Sequence, residues 1–474
     1  MHFYNTKTKK LEKFTPINQY EVLLYTCGPT VYNYLHVGNW VAYIRWDILV
    51  RTLLADGYDV KRVMNITDVG HLVSDADYGE DKMEKSARRE GKTAWEIAKM
   101  YTEDFMLGLA KLNLIEPTYI TKATGYIPQQ IDLIKKLDEK GYTYVIDDGV
   151  YFDTSRFPTY ADFANLRLDE LKDGARVEQN VQKRNPSDFA LWKFSPKNET
   201  RDMEWDSPWG KGFPGWHLEC SAMAITKLGP TIDIHTGGID HIPVHHTNEI
   251  AQSEAATGKT FVNYWLHNNF LLVDGTKVSK SIGNTYTLQD LSDKGFSPED
   301  FKMFVLQSHY RTESNFTWEN LQAAQNRLNN WKKIACLQWQ AHELAEDCDD
   351  NCVTDENLAY LNSIASIKVA LNNDLDTPNA LVALEEGLNW AEVNGVHISG
   401  LSNFHKLLDT VETTLGLKIS GQDITIEQKQ IINDRLQARN NQNWSLSDEL
   451  RAKLKEQGIE VKDSKSGQSW YKVT

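Results

Sequence analysis

Apolar residues follow two different spacings in the first part of the chain. Residues 22–26, VLLYT, form a short continuous apolar run of the kind that buried strands show. From residue 38 the apolar positions recur at helical spacing, until a turn sequence at 56–57 ends the pattern. Residues 58–67, YDVKRVMNIT, again have the pattern of a strand. This strand–helix–strand order predicts an α/β protein with a parallel sheet.

The same alternation returns after residue 200. We predict, in order, a helix at 216–228, a strand at 231–238, a helix at 245–256 and strands at 261–266 and 269–273. The intervening segment, roughly 115–200, differs in texture, with a hairpin-like stretch YVIDDGVYF and a polar loop VQKRNPSD. We therefore interpret it as an insertion into one sheet domain.

The C-terminal third has helical periodicity. Apolar residues recur at helical spacing within 300–420, which predicts the core of a helical bundle. The sequence LKISGQDITI, at 417–426, contains turn residues and predicts a loop before a small C-terminal unit.

Composition limits the class of protein. At 474 residues the chain is too long for one hydrophobic core, so several domains are expected. No apolar run approaches the roughly 20 residues of a membrane-spanning helix, and the polar start MHFYNTKTKK lacks the apolar stretch of a signal peptide. Five scattered cysteines do not form the pattern of a disulfide framework. A cytoplasmic enzyme without a membrane partner is the expectation.

Charge is unevenly distributed along the chain. The net charge of −15 argues against indiscriminate binding of nucleic acid. Residues 426–474 nevertheless hold nine Lys or Arg and seven Asp or Glu, so this tail carries +2. Because local charge decides RNA binding, a specific RNA partner remains compatible with the sequence.

Four scattered residues have the chemistry of a zinc site. Cys27 follows a predicted strand, Cys220 lies on a predicted helix, and His245 and Glu249 are four residues apart, on one face of a helix. Two thiolates, an imidazole and a carboxylate suit tetrahedral Zn²⁺. Spacing alone favours the alternative, which is two core cysteines and a His/Glu pair on a helix surface.

Two short segments suit a nucleotide. His36-Val37-Gly38-Asn39 lies where a strand passes into a helix, whose N-terminal N–H groups and dipole favour phosphate. Downstream, Lys277 and Lys280 follow a predicted hairpin turn and could hold the β- and γ-phosphates of ATP. In isolation, each segment is more often an ordinary helix start or a solvated turn. No Walker motif and no GxGxxG sequence is present.

Long segments, taken together, carry a family resemblance. In chain order they are GPTVYNYLHVGN, NITD, KRNPSDFALWK, SPWGKGFPGWHLECSAM, DIHTGGID, HHTNEIAQ, NYWLHNNF and KVSKSIGN. The chain resembles the cysteinyl-tRNA synthetase family from about residue 2 to the region of Trp470. The resemblance implies a Rossmann-like class I catalytic domain split by an insertion, followed by an α-helical bundle and a small α+β anticodon-binding domain.

The resemblance also implies domain limits. They are 1–114 and 201–265 for the two halves of the catalytic domain, 115–200 for the connective insertion, 266–330 for a stem-contact region with the KMSKS-like loop, 331–420 for the helical bundle, and 421–474 for the anticodon-binding domain.

Site residues carry over by position. Those implied for zinc are Cys27, Cys220, His245 and Glu249. Those implied for ATP are His36, Gly38, Asn39, Lys277 and Lys280, in the HIGH and KMSKS signatures. Those implied for the cysteine pocket are Thr30, Thr67, Trp216 and Asp240, and those for the anticodon are Arg439, Trp444, Asp448 and Asp463. Two positions depart from the signatures, because Asn39 replaces the second His of HIGH and Val278 replaces the Met of KMSKS.

The implied activity is ligation of L-cysteine to tRNA(Cys) through cysteinyl-adenylate, with ATP and Mg²⁺. One Zn²⁺ per chain would select the cysteine thiolate, and the chain would be a monomer. Zinc selection would make an editing domain unnecessary, and the 115–200 insertion is short for one. Two alternatives share part of this chemistry: a ligase that joins cysteine to an amino-sugar, as in mycothiol synthesis, and a non-catalytic zinc- and RNA-binding paralogue.

Overall fold

The computed structural model describes residues 1–70, 81–166, 181–196, 201–278, 282–343, 350–464 and 467–472. These residues form two compact units. The first consists of Met1–Leu272, Thr276–Asp290 and Tyr310–Ser314, and the second of Val273–Gly275, Leu291–His309 and Asn315–Thr474. None of the helices in the described ranges is long and apolar enough to cross a membrane. The finer six-part division remains a prediction.

Helices are numbered here in chain order. They are α1 Val37–Ala55, α2 Lys82–Glu90, α3 Ala94–Lys111, α4 Ile127–Glu139, α5 Trp216–Leu228, α6 Thr247–Thr257, α7 Leu288–Asp293, α8 Pro298–Leu306, α9 Trp318–Ala335, α10 Asp350–Asn372, α11 Thr377–Asn394, α12 Leu401–Leu415, α13 Ile426–Asn440 and α14 Trp444–Glu456.

Strands are numbered in the same way. They are β1 His2–Asn5, β2 Lys10–Lys13, β3 Glu21–Thr26, β4 Asp59–Ile66, β5 Tyr119–Lys122, β6 Thr143–Ile146, β7 Gly149–Phe152, β8 Phe189–Phe194, β9 Gly212–Pro214, β10 Ile232–Gly238, β11 Val262–Asn268, β12 Leu271–Val273, β13 Thr276–Lys277, β14 Ser314–Phe316, β15 Ile459–Ser464 and β16 Gly467–Lys472.

A five-stranded parallel sheet is the centre of the first unit. Its order is β11-β10-β3-β4-β5, and each neighbouring pair is parallel, which confirms the predicted α/β class. Helix α1 connects β3 to β4 and is buried on nearly all sides. Two of its buried charged residues pair with each other, because Arg51 Nε donates to Asp47 Oδ2 at 2.6 Å, and the buried Arg45 donates to Asn269 O at 2.9 Å. The chain thus places β4 and β5 on one side of β3, and β10 and β11 on the other.

Part of the segment predicted as an insertion, 115–200, forms a separate sheet within the first unit together with β9, whereas β5 in the same segment joins the central sheet. Strands β6, β7, β8 and β9 pair antiparallel in that order. The hairpin expected at YVIDDGVYF is therefore confirmed as β6 and β7. Apolar residues of this sheet, such as Trp192 and Phe152, pack with α4, α5 and α6 in one buried cluster. The inserted sheet therefore supports the helices that follow it in the chain.

The second unit contains the predicted helical bundle. Leu321, Ala324 and Leu328 on α9 are fully buried, as their spacing predicted. After the loop at 417–426, helices α13 and α14 and the antiparallel hairpin β15–β16 enclose a small core that includes Ile432, Leu454 and Trp470. This small C-terminal part is of mixed α and β composition.

Candidate active site

The carboxyl ends of β3 and β10 lie side by side, because the two strands pair in parallel with Thr26 opposite Thr236. After β3 the chain continues to β4, and after β10 it continues to β11, so it moves along the sheet in opposite directions from the two strands. In open parallel sheets, ligands bind at such a switch point, beyond the carboxyl ends of the strands. A cavity of about 460 Å³ opens here, which is a usual size for a small-molecule site.

The loop after β3 packs tightly on the carboxyl end of β4. A Cβ atom on Gly28 would lie 1.7 Å from the backbone oxygen of Asn65, so only glycine fits. Asn65 Oδ1 accepts a hydrogen bond from Gly28 N at 2.8 Å, and its Nδ2 donates to Thr67 Oγ1 at 3.1 Å. Thr30 and Thr67 form a parallel bridge. Both threonines expected in the cysteine pocket therefore line the cavity from a fixed backbone.

The four predicted metal ligands come together. One ligand atom from each of Cys27, Cys220, His245 and Glu249 lies within 4.8 Å of all the others. Glu249 Oε1 is 2.9 Å from His245 Nε2 but accepts no well-directed hydrogen bond among the described residues. A buried carboxylate oxygen without such a donor, beside two sulfurs and an imidazole, fits a bound Zn²⁺.

The helix that carries His245 and Glu249 differs from the prediction. The α-helix begins at Thr247, and Ile242–His246 form a π-helical turn before it. The wider turn inserts an extra residue into the helical ladder, and such turns occur often at functional sites. His245 therefore lies on the π turn and Glu249 on α6, and their side chains still meet.

The four side chains shift one another's pKa values. A hydrogen bond from Cys27 lowers the pKa of the Cys220 thiol to about 6, whereas the same hydrogen bond raises the pKa of Cys27 well above its ordinary value. Burial would lower the pKa of His245, but Glu249 and Cys220 raise it to about 10. Burial would raise the pKa of Glu249, but His235 and His245 lower it to about 2. A metal ion would take the place of the protons on these groups.

A second ligand set overlaps the first. Cys27, His235, His246 and Glu249 also lie within 4.8 Å of one another. However, His235 Nε2 is 2.9 Å from Glu249 Oε2, and His246 Nδ1 is 2.7 Å from His267 Nε2. Neither His235 nor His246 lines the cavity, whereas Cys27, Cys220 and His245 do. A metal that meets a substrate needs an open coordination position, so the first set fits that role better.

The segment 36–39, predicted to bind ATP, forms the start of α1. His36 is the N-cap of this helix, and its backbone N–H donates to Asn39 Oδ1 at 3.1 Å. Gly38 lies against the segment 277–278, since a Cβ atom on it would be 3.3 Å from Val278 Cγ2. Lys277 Nζ is 4.9 Å from the centre of the Phe270 ring. All of these residues line the cavity, while Lys280 lies outside the described residues.

Trp216 and Asp240 complete the predicted pocket. The Trp216 ring lies 4.6 Å from the ring of His245, and the Asp240 side chain is packed against Gly238. Both residues line the cavity, together with the two thiols and residues of the segment 36–39. The cavity therefore brings the sulfur atoms of Cys27 and Cys220 together with a helix N-terminus of the kind that suits phosphate.

Comparison with known proteins decides the family. A family model described as tRNA synthetases class I (C) catalytic domain matches residues 13–326. A cysteine–tRNA ligase of Treponema denticola is 42% identical over all of both chains. Cysteine–tRNA ligase 1 of Burkholderia lata is 44% identical over 99% of this chain and 96% of that one. The chain belongs to the class I cysteine–tRNA ligase family.

Solved class I synthetases share the fold of this cysteine–tRNA ligase family member. Methionyl-tRNA synthetase of Mycobacterium tuberculosis bound by methionyl-adenylate has a TM-score of 0.58 at 14% identity, covering 90% of this chain and 96% of that one. A ternary complex of Agrobacterium radiobacter K84 LeuRS with tRNA and LeuAMS has a TM-score of 0.60 at 12% identity, covering 86% and 85%. These likenesses confirm the class I fold.

The predicted anticodon residues of this family member lie in the second unit. Asp463 Oδ2 is 3.2 Å from Arg439 Nη1, and the Arg439 guanidinium lies 5.5 Å from the centre of the Trp444 ring. Trp444 is 56% exposed, and Asp448 is exposed on the same helix, α14. The structure thus brings together Arg439, Trp444 and Asp463.

Sequence reasoning missed several residues that line the cavity. Tyr32, Tyr34 and Asn33 belong to the segment GPTVYNYLHVGN but had no predicted role. Lys82 was also missed, because it lies on a helix far from either signature. Lys82 can be assigned to the cavity only from the structure, in which α2 packs beside Tyr32.

Proposed function

We propose that this protein ligates L-cysteine to tRNA(Cys) in two steps, with Zn²⁺ selecting cysteine and Mg²⁺ accompanying ATP. The cysteine carboxylate attacks the α-phosphate of ATP, which forms cysteinyl-adenylate and releases pyrophosphate. The acyl group then passes to the 3′-terminal adenosine of the tRNA. One observation carries this proposal: the Cys27, Cys220 and His245 side chains open into the same cavity as His36, Asn39 and Lys277.

The protein need supply no covalent nucleophile in this reaction. Positioning of the two reactants and stabilisation of the charge that moves onto pyrophosphate are sufficient. The start of α1 offers backbone N–H groups and Asn39 for phosphate or ribose, and Lys277 offers an exposed ammonium group. Thr30, Thr67 and Asp240 surround the space beside the proposed metal site.

The proposed role of zinc is discrimination between sulfur and oxygen. Serine is nearly isosteric with cysteine, and a simple pocket separates such a pair by only about 10²-fold. Zn²⁺ held by Cys27, Cys220, His245 and Glu249 would prefer a thiolate to a hydroxyl and would lower the pKa of the incoming thiol. The four ligand atoms are close enough to bind one ion.

Recognition of the anticodon is proposed for the C-terminal part. Trp444 is exposed and has a polar surrounding of Arg439, Asp448 and Asp463. An aromatic face with charged neighbours suits unstacked bases of a single strand. A ligase for an amino-sugar would have no use for such a surface, so this feature favours tRNA as the acceptor.

Aminoacylation of tRNA(Cys) with cysteine or serine tests the proposal. We expect the zinc-loaded protein to charge tRNA(Cys) with cysteine and to reject serine, and we expect a chelated, refilled sample to recover both properties. Activation of cysteine without transfer to tRNA would favour an amino-sugar ligase, and an assay with an amino-sugar acceptor would then test that alternative. Rejection of serine by a fully chelated, still active sample would refute the role of zinc.

A further inference from the structure

Glu249 faces ligand atoms on two sides, one with each carboxylate oxygen. Its Oε1 is 2.9 Å from His245 Nε2, in the first set of ligands, which includes Cys27 and Cys220. Its Oε2 is 2.9 Å from His235 Nε2, in the second set. That second set, whose ligand atoms lie within 4.8 Å of one another, consists of Cys27, His235, His246 and Glu249. The two sets therefore share one thiol and one carboxylate.

Two consecutive histidines reach Glu249 because of their spacing along the chain. In a helical segment, the residues three and four positions before Glu249 are both its neighbours, and these are His246 and His245. Gly237 leaves room for the His246 ring, since a Cβ atom on this glycine would lie 2.5 Å from His246 Cε1. Strand β10 places His235 on the other side of the carboxylate. The second set is therefore built into the fold.

Both histidines of the second set have a partner on their other ring nitrogen. His246 Nδ1 is 2.7 Å from His267 Nε2, and His267 Nδ1 is 2.8 Å from Thr6 Oγ1. His235 Nδ1 is 3.3 Å from Thr236 O. A histidine that binds a metal almost always has such a partner, which fixes the ring and directs the free nitrogen toward the ion. The Nε2 atoms of His235 and His246 are thus held as ligand atoms would be.

The distances in the second set suit zinc as well as those in the first. Cys27 Sγ is 3.6 Å from His246 Nε2. Zn–S and Zn–N bonds of ordinary length at a tetrahedral angle place their sulfur and nitrogen atoms about 3.6 Å apart. The 2.9 Å between His235 Nε2 and Glu249 Oε2 would have to widen by about 0.5 Å to admit the ion. The 2.9 Å between His245 and Glu249 in the first set requires the same change.

The second set is closed to the cavity. His235, His246 and Glu249 are fully buried, and neither of these histidines lines the cavity. The Trp265 ring covers both, at 4.7 Å from the His235 ring and 4.9 Å from the His246 ring. Four protein ligands without an open position are typical of a structural zinc site, whereas a catalytic site keeps one position for the substrate. The second set therefore has no place for an incoming thiol.

We propose that the second set is an alternate, closed position for the zinc ion that the first set binds. The inference rests on the zinc of the proposed function. Both sets need the Cys27 thiolate and the Glu249 carboxylate, so they are filled in turn rather than together. An incoming thiol reaches only the first set, which opens into the cavity. Occupancy of the second set therefore lowers the apparent affinity for cysteine, in proportion to the fraction of protein in that state.

Paired histidine variants in a Cys220→Ser background test the inference. This background removes a ligand of the first set only, so it should bind Zn²⁺ more weakly than the wild type but still bind one ion. Competition with a chromophoric chelator measures the affinity. We expect Cys220→Ser/His245→Gln to keep the affinity of the background. We expect Cys220→Ser/His246→Gln to lose at least about tenfold, since even an outer-shell partner contributes about 10- to 100-fold.

X-ray absorption on zinc-loaded Cys220→Ser needs no second substitution. We expect one sulfur and two imidazole nitrogens around the ion, as the second set provides, whereas the remainder of the first set provides one sulfur and one imidazole. Added cysteine should leave the sulfur count of this variant unchanged, because the second set is closed. In the wild type, added cysteine should raise the sulfur count, because the first set opens into the cavity.

Three results would overturn the inference. They are a folded Cys220→Ser variant that binds no zinc, a loss of zinc affinity in the His245 double variant as large as that in the His246 double variant, and two zinc ions bound at once to the wild type. The metal content of the wild type separates this failure from failure of the proposed function. If the wild type binds one ion and the variants contradict the expected order, only the alternate position is wrong; if the wild type binds none, the proposed role of zinc is wrong as well.

Discussion

Arg435 and Arg439 both contact Asp463, yet their surroundings predict different roles. Arg435 is 1% exposed, and its Nη1 and Nη2 each donate to one oxygen of Asp463 at 2.8 Å. Arg435 Nη1 also donates to Gln468 Oε1 at 2.7 Å, so this side chain joins α13 to both strands of the β15–β16 hairpin. Arg439 is 33% exposed and reaches Asp463 Oδ2 at 3.2 Å. We therefore predict that Arg435 supports the fold and that Arg439 contacts RNA.

The contacts give the size of the expected effects. Hydrogen bonds to a charged group contribute about 1.5–3 kcal/mol. We expect the Arg435–Asp463 pair to lie in the middle of that range, because the Asp463 side chain is 31% exposed and water weakens the interaction. Arg435→Met should therefore lower the free energy of opening of the hairpin by about 2–3 kcal/mol. Arg439→Met should lower it by less than about 1 kcal/mol, as for a surface ion pair. Arg439→Met should instead raise the KM for tRNA.

Native-state hydrogen exchange of the β15 and β16 amides measures this difference, because it reports the free energy of local opening. The sign of the pH dependence follows from Asp463. Hydrogen bonds from Arg435 lower the pKa of this carboxyl below its ordinary value. The stabilisation is therefore complete above the unfolded pKa of about 3.9 and is lost as the pH falls through the lower, folded pKa. Arg435→Met should weaken that acid-dependent loss.

A specific pattern of results would refute this reasoning. If Arg435→Met left the exchange rates of the hairpin unchanged and affected only tRNA binding, Arg435 would be a contact residue and the structural role would be wrong. If Arg439→Met destabilised the hairpin as much as Arg435→Met does, exposure would not distinguish the two arginines.

Three further predictions concern the first unit. Cys220→Ser should weaken binding of zinc and cysteine far more than binding of ATP in calorimetry on the folded variant, because a hydroxyl is a poor zinc ligand; an equal loss for ATP would contradict the assignment. Lys280→Ala should slow pyrophosphate exchange and leave cysteine affinity nearly intact, and a wild-type exchange rate would contradict its role. Gly28→Ala should cost about 1–3 kcal/mol in thermal unfolding, since its Cβ would lie 1.7 Å from Asn65 O. Gly125→Ala, with no atom within 4 Å of its Cβ, is the control and should be nearly neutral.

Local patterns were sufficient for much of the fold. Helix α5 has the predicted bounds, 216–228, because its ends are marked by Gly215 and Gly229. The parallel sheet follows from strands that alternate with helices, which requires no knowledge of distant contacts. The start of α6 was wrong by two residues. The π turn at Ile242–His246 is a single turn of five residues, which is too short for its wider spacing to be recognised in the sequence.

The candidate site depended on contacts that spacing does not encode. Cys27 follows β3 and Cys220 lies on α5, and both pack against the same core cluster of the sheet; the sequence patterns do not specify that this helix packs at that end of β3. For that reason spacing favoured isolated core cysteines, and only the resemblance to a family gave the ligand set. Lys82 was missed for the same reason, since its place at the cavity is decided by the packing of α2 against Tyr32.

Asn39 departs from the HIGH signature, and its contacts show what an asparagine can do at this position. Its side-chain oxygen accepts the backbone N–H of His36, which closes the first turn of α1 around the proposed phosphate site. The same oxygen cannot also serve a ligand well, but the Nδ2 group makes no hydrogen bond among the described residues and remains a donor at the cavity. A histidine here could add a positive charge, whereas asparagine supplies a neutral donor and an N-terminal cap at once. In the proposed reaction the asparagine would therefore keep a hydrogen-bond donor for phosphate or ribose, and Lys277 and Lys280 would have to supply the positive charge that a second histidine could add.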